Sequence, residues 1–304
     1  MTTEDRIVAV IGVTGQQGGG VVRALQSRGR FRVRALTRDP GRHAGLADEV
    51  VAADLDRPET LPAAFAGAYG AFVVTNFWQE GGSYEAAQGT AAAEAARDAG
   101  VEHFVWSTLP DVATISGGAF AVPHFTGKAR VNEVVKGLGF PACTFVEAPF
   151  YYQNFTGVLA PQARDDGTRG WALPIDPAAR CIHMGDIAEL GNVVAGAFEH
   201  PDTVGQGQVL SLSGGLLSFD DVVATLNAQG HDVSFRQIPG EVFATFFPGA
   251  EEMVAMLGYF QAHTYLGPDT EAKIARANAV ATAPPTDFAT WARAHMPTEA
   301  SADA

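Results

Sequence analysis

Two groups of residues in this 304-residue chain have the types and spacing to do chemistry. The first is the GxxGxxG run Gly12-Val-Thr14-Gly15-Gln16-Gln17-Gly18. Glycines let a backbone turn tightly and approach a pyrophosphate. A helix starting there turns free N–H groups and the positive end of its dipole toward the phosphates. Thr14, Gln16 and Gln17 can add side-chain hydrogen bonds. The second group is His124-x-x-x-Lys128, whose spacing puts both side chains on one helix face. A histidine titrates near neutrality and can give a proton to a substrate oxygen. A lysine beside it can hold sugar hydroxyls or donate the proton itself. A single histidine is also often a packing or capping residue.

The elements that must position these groups follow from the pattern. Ile7–Ile11 is a short unbroken apolar run, as expected of a strand buried on both faces, and Val21 to Leu25 after the glycines has helical spacing. Further strands are expected at 32–37, 49–53, 71–74, 102–106 and 143–146, with helices at 59–66, 84–98 and 128–136. Strand and helix alternate, which argues for an α/β fold, a doubly wound parallel sheet of Rossmann type. In such a sheet ligands bind at the carboxyl ends of the strands, and the loop residues there are read as ligand-facing. After Phe150 the alternation loosens, with helices expected from caps at Asp186 and Ser218 and over 251–261. The chain is therefore divided into a dinucleotide-binding domain, 1–150, and a smaller C-terminal α/β lobe, 151–304, for substrate or partner, with a boundary the chain recrosses. The last residues, 298–304, read as a polar frayed tail.

Arg38 stands 20 residues after Gly18, at the end of the second strand. A carboxylate at that place bonds the ribose 2′-hydroxyl of NAD, whereas a guanidinium grips a 2′-phosphate. NADP(H) is the cofactor this favours; Arg42 can assist, and Asp39 is close enough to tolerate NAD. Asp54 and Leu55 stand where they would flank the adenine, Asp54 alternatively capping the next helix. Thr75, Asn76 and Phe77 follow the fourth strand and would meet the ribose and nicotinamide; Trp78 reads rather as a ring packed on the core. Pro149 and Tyr151 would flank the nicotinamide, and Tyr151 or Tyr152 is a stand-in acid or else aromatic packing between the lobes. Ser107 ends the fifth strand, where a hydroxyl can orient a substrate.

The combination GVTGQQG, Thr37-Arg38, Thr75-Asn-Phe-Trp78, Trp106-Ser-Thr-Leu109, His124-Phe-Thr-Gly-Lys128 and Ala148-Pro-Phe-Tyr-Tyr-Gln-Asn154 resembles the NmrA-like family of atypical short-chain dehydrogenase/reductases, over nearly the whole chain. The resemblance implies a Rossmann-type domain, a small C-terminal lobe and NADP(H) binding, with members of two kinds: redox sensors or regulators that bind the dinucleotide without turning it over, and NADPH-dependent reductases. Typical reductases of this superfamily carry Tyr-x-x-x-Lys. Here the tyrosine is replaced by His124, which departs from the catalytic pattern. The first function expected is thus an NADPH/NADP+ sensor, with Lys128 on the ribose; the alternative is a reductase of a small carbonyl, imine, quinone or enone in the cleft between lobes, with Lys128 and His124 catalytic.

Composition narrows the partners. Lys+Arg is 20 against Asp+Glu 34, a net charge of −14, which repels phosphate backbones and anionic lipid, so direct nucleic-acid or membrane binding is not expected, while a protein partner is. The two cysteines, Cys143 and Cys181, read as small apolar residues of a reducing compartment, and a polar N-terminus without an apolar core fits a cytoplasmic protein. The histidines have no metal spacing, and no metal is expected. Phe243, Phe246, Phe247, Met253, Met256, Leu257 and Phe260 read as the core of the small lobe or an apolar surface. Only three basic residues are lysine, Lys128, Lys136 and Lys273, so each draws notice.

Overall fold

A computed structural model describes residues 6–78, 84–163 and 167–298; the expected tail at 299–304 and the polar start at 1–5 lie outside the described residues. In chain order the strands are β1 Ile7–Ile11, β2 Arg32–Thr37, β3 Glu49–Ala52, β4 Gly70–Val73, β5 His103–Thr108, β6 Ala142–Glu147, β7 Phe150–Tyr151, β8 Gln162–Ala163, β9 Arg169–Leu173, β10 Ile182–Gly185, β11 Gln206–Ser211, β12 Gly215–Leu217 and β13 Ser234–Gln237. The helices are α1 Gln16–Arg28, α2 Leu61–Phe65, α3 Glu85–Asp98, α4 Val112–Ile115, α5 Pro123–Gly137, α6 Leu190–Glu199, α7 Pro201–Val204, α8 Phe219–Ala228, α9 Gly240–Phe243, α10 Ala250–His263, α11 Thr270–Val280 and α12 Phe288–His295.

Seven parallel strands form the main sheet in the order β11-β6-β5-β4-β1-β2-β3. The doubly wound α/β reading from strand–helix alternation is met. The order reverses between β1 and β4, where the carboxyl ends open a crevice. One face is covered by α1 and α6 over Val8, Val10, Val33 and Phe72, the other by α2, α3 and α5 over Ala9, Ala71, Phe104 and Phe145. Small residues set the helix seats. A Cβ at Gly191 of α6 would lie 2.2 Å from the Gly20 carbonyl oxygen of α1, and one at Gly89 of α3 would lie 2.7 Å from Trp106. The second half of the chain thus supplies α6 and β11 to the first layer.

Beyond the sheet, β7, β10 and β12 make one small sheet and β8, β9 and β13 another. They enclose a second core of Tyr152, Phe155, Trp171, Phe219, Phe260 and Trp291 among others. Ser218 caps α8 through a full capping box with Asp221, while Asp186 caps a 3-10 turn that runs on into α6. Of the aromatic stripe, Phe243, Met256, Leu257 and Phe260 are in this core, but Phe246 and Phe247 are 54% and 43% exposed because they sit in the turn between α9 and α10. Cys181 is buried and Cys143 half-buried, both unpaired. Among the described residues no helix is long and apolar enough to cross a membrane, and no cluster of metal-binding side chains occurs.

Two buried histidines carry a pH dependence. His103 of β5, bonded to Thr144 Oγ1 at 2.9 Å, is pulled down to about 4 by burial; His183 of β10 is pulled to about 4 by burial and then by Lys273. Between the ordinary value of 6.5 and about 4 the unfolded chain binds a proton at each ring and the folded one does not, so stability falls as the pH is lowered through that window, by about 3 kcal/mol per ring. Urea midpoints at pH 7 and pH 4.5 should show the loss, and His103→Asn should shrink it; a flat profile would mean both rings charge inside the fold.

Candidate functional site

β1 ends at Ile11 and the chain turns at Gly12, whose φ of +79° is left-handed and whose Cβ would strike Val74 at 2.6 Å. Gly15 N is bonded to Gly12 O at 2.9 Å, closing the turn onto α1. A Cβ at Gly18 would fall 2.3 Å from that same carbonyl, so the loop and the helix backbone touch with no room for a side chain. Gly15, the N-cap of α1, offers no side-chain cap, and the first turn has no acidic residue, although the chain as a whole is strongly acidic. The first-turn N–H groups are therefore left for an anion from outside, as a pyrophosphate requires. Thr14 and Gln16 are exposed on this loop.

Gln17 is engaged instead with protein: its Nε2 donates to the Tyr151 hydroxyl at 2.7 Å, and Ser107 Oγ donates to its Oε1 at 2.6 Å. The first turn of α1, the end of β5 and β7 are thus tied together across the crevice. Burial pushes the Tyr151 hydroxyl up to about 12, only partly offset by Gln17, which makes it a poor proton donor near neutrality. Tyr152 is no candidate at all: it is fully buried against Phe288 and Trp291.

Arg38 is exposed just past β2. Asp39 is turned to the chain after it, capping the turn Pro40–His43 through Arg42 N. Asp54 does not cap the following helix; its Oδ1 accepts from Asp56 N at 3.1 Å. Leu55 packs on the sheet core. After β4, Asn76 and Phe77 line the edge, Asn76 Oδ1 accepting from Trp78 N. Trp78, expected on the core, is 69% exposed; its ring stands 5.2 Å from Phe77 and 5.3 Å from His124. Pro149 is buried against Gly185.

Lys128 and His124 both lie on α5 but in different surroundings. Lys128 is 7% exposed. Its Nζ donates to Thr75 O at 2.9 Å and Thr75 Oγ1 at 3.1 Å, and pairs with Glu85 Oε1 at 2.6 Å; Thr75 Oγ1 donates to the same carboxylate oxygen at 2.8 Å. All three ammonium protons have acceptors within the protein. Burial pulls the ammonium below its ordinary value, against the charge and hydrogen bond of Glu85. His124 is half-buried at the rim. Its Nδ1 lies 2.5 Å from Glu252 Oε1, and Phe77 and Phe125 border the ring at 5.6 and 4.9 Å. Among the described residues its Nε2 has no hydrogen-bond partner.

Glu85 and Glu252 were not singled out from sequence. Each meets its partner across 43 and 128 residues respectively, a distance at which pairing leaves no local pattern. The scarcity of lysine was the one usable signal. It marks a second buried pair as well: Lys273 Nζ lies 3.0 Å from Glu147 Oε2 and donates to Leu266 O.

A charge left alone in that environment is costly. Lys128→Met strands the Glu85 carboxylate and should lower stability by about 3 kcal/mol or more, whereas Lys128→Met with Glu85→Gln should recover most of the loss. Urea denaturation of the three proteins checks this; equal losses in single and double variants would mean the pair is not coupled.

The NmrA-like family model matches residues 4–292. An NmrA-like family domain-containing oxidoreductase, hkm9 of Aspergillus hancockii, is 30% identical over 98% of this chain and 99% of its own length. Among solved structures, NmrA, described as a negative transcriptional regulator, aligns with a TM-score of 0.81 at 25% identity over 98% of each chain. NmrA has also been crystallised with NADP and with NAD, and these structures align at 0.80 each and 24% identity, over 99% of this chain and 98% of theirs. With the family model spanning nearly all of the sequence and a relative matched end to end, the chain belongs to the NmrA-like family.

Proposed function

We propose that this chain binds NADP(H) along Gly12–Gly18 and reduces a small carbonyl-type substrate at the crevice. Binding is supported by the cradle between Gly12 O and Gly18, which a single Cβ would fill, and by the uncapped first turn of α1. The family relative NmrA takes both NADP and NAD; Arg38, exposed at the end of β2 with Asp39 turned to its own cap, favours the 2′-phosphate here. When bound, the dinucleotide supplies the hydride. Thr14, Gln16, Asn76, Phe77, Pro149 and Tyr151 stand around the path it would take, and Lys128 and Thr75 support the floor under the ribose from inside the fold.

His124 is the observation that carries the enzyme reading. Of the proton donors near the crevice, Lys128 is saturated by Glu85 and Thr75, and Tyr151 is held by Gln17 with its hydroxyl pushed up. Among the described residues, His124 keeps a ring nitrogen without a hydrogen-bond partner, one helical turn from Lys128 and beside Phe77. A second reading, a sensor of NADPH against NADP+, is favoured by Gln17, which couples the phosphate loop to β7 of the C-terminal lobe. The relatives divide in the same way, hkm9 being named an oxidoreductase and NmrA a regulator.

Mixing protein with NADPH should enhance nicotinamide fluorescence, and Arg38→Asp should weaken NADPH by about tenfold or more while sparing NADH, as expected for loss of a charge-assisted pair. The enzyme reading then requires decay of the NADPH signal with an aldehyde, quinone, enone or imine. Binding with no decay across that panel, together with a change of shape on NADPH but not NADP+, would transfer the assignment to the sensor.

A further inference from the structure

His124 is not held by its own helix. Its Nδ1 is bonded to Glu252 in the first turn of α10, and the same carboxylate oxygen lies 3.4 Å from His124 N. Glu252 is half-buried. Burial pushes its carboxyl up, but the hydrogen bonds and charge of His124 outweigh that and hold it below the ordinary carboxylate value. The pair thus favours the ionised carboxylate facing an N–H. Of the described residues in the neighbouring loop, Phe77 and Trp78 bring aromatic rings to His124. On α5 the next cation is Lys128, already neutralised by Glu85. On α10, Glu251 is exposed, and the ring's partner there is Glu252.

A carboxylate on one imidazole nitrogen does two things. It fixes the tautomer and the ring plane, so the other nitrogen is the one that exchanges protons, and it stabilises the imidazolium. We propose that Glu252 is the positioning residue of this site, a group supplied by the C-terminal lobe that holds His124 Nδ1–H and leaves Nε2–H as the proton donor to the substrate oxygen. The inference rests on the reductase reading above. In the step it serves, the carbonyl carbon receives the hydride with its electron pair and a C–H bond forms. The C=O π pair moves onto oxygen, which takes the proton from Nε2. The dinucleotide is left oxidised, and the neutral imidazole regains its proton from water. The lobe therefore completes the acid as well as covering the cleft.

The test uses the full chain without cofactor first. Nitrogen-15 spectra of the imidazole, assigned by the signals lost in His124→Gln, should show the Nδ1–H tautomer in the wild type. In Glu252→Gln they should show a mixed tautomer, with Glu252→Asp falling between. With a working acceptor, Glu252→Gln should lower kcat about a hundredfold with KM little changed, the scale of a positioned general acid. An unmoved tautomer in a folded Glu252→Gln protein would overturn the proposal. A chain that consumes no NADPH with any acceptor would overturn the reductase reading, and with it the proton-donor role, while the spectra still decide whether Glu252 holds the ring.

Discussion

A primary ammonium shut away from water needs three acceptors, and finding them for Lys128 joins three elements. Thr75 follows β4, Glu85 opens α3 and Lys128 lies within α5. The carbonyl and hydroxyl of Thr75 bring the strand end to the helix, and Glu85 supplies the countercharge from the other side. Desolvating two charges costs several kcal/mol per ion, which only close geometry offsets. The arrangement is thus held to a narrow set of positions, and the Asn76–Trp78 loop, which starts one residue after Thr75, leaves the sheet at a fixed place. Trp106 reinforces it by donating to the Lys128 carbonyl at 3.1 Å, with Gly89 giving α3 room to close over the same ring.

Seen in this way the lysine of His-x-x-x-Lys works mainly through the scaffold. It ties the end of β4 to α3 and α5, and under the reductase proposal the proton chemistry would fall to the residue one turn earlier. The loss of a tyrosine at the His124 position does not by itself remove an acid from the crevice; it changes what an acid there needs. A phenol is activated by a nearby cation that lowers its pKa. An imidazole already titrates near neutrality and needs orientation, which a carboxylate gives.

Legibility in the sequence followed distance along the chain. The β1–loop–α1 unit was readable because its determinants are consecutive: an unbroken apolar run, glycines at fixed spacing and a helical pattern. The parallel sheet was readable from strand–helix alternation, and the Ser218 cap from three adjacent residues. What escaped depended on pairs far apart, Glu85 with Lys128 and Glu252 with His124, which no periodicity encodes. Trp78 was misplaced, and Phe246 was left between core and surface, for a related reason. Hydrophobicity argues for burial, but turns at a cleft or between helices can leave large rings in solvent, and no neighbouring residue announces it. Tyr151 and Tyr152 are adjacent, yet one is bonded to Gln17 at the crevice and the other is sealed in the second core, because β7 ends at Tyr151 and a 3-10 turn begins at Tyr152.

The sensor and reductase readings then cease to be exclusive structures. In both, two links tie the first half of the chain to the second: Gln17 to Tyr151 through α1 and β7, and His124 to Glu252 through α5 and α10. Under the sensor reading, a dinucleotide that displaces or tightens the first link would report its presence to the second half of the chain. A nicotinamide bound beside the second link would report its redox state, since a positive ring near an imidazolium is disfavoured and a neutral one is not. The same electrostatics assists proton transfer, because the donor becomes neutral as the ring becomes positive.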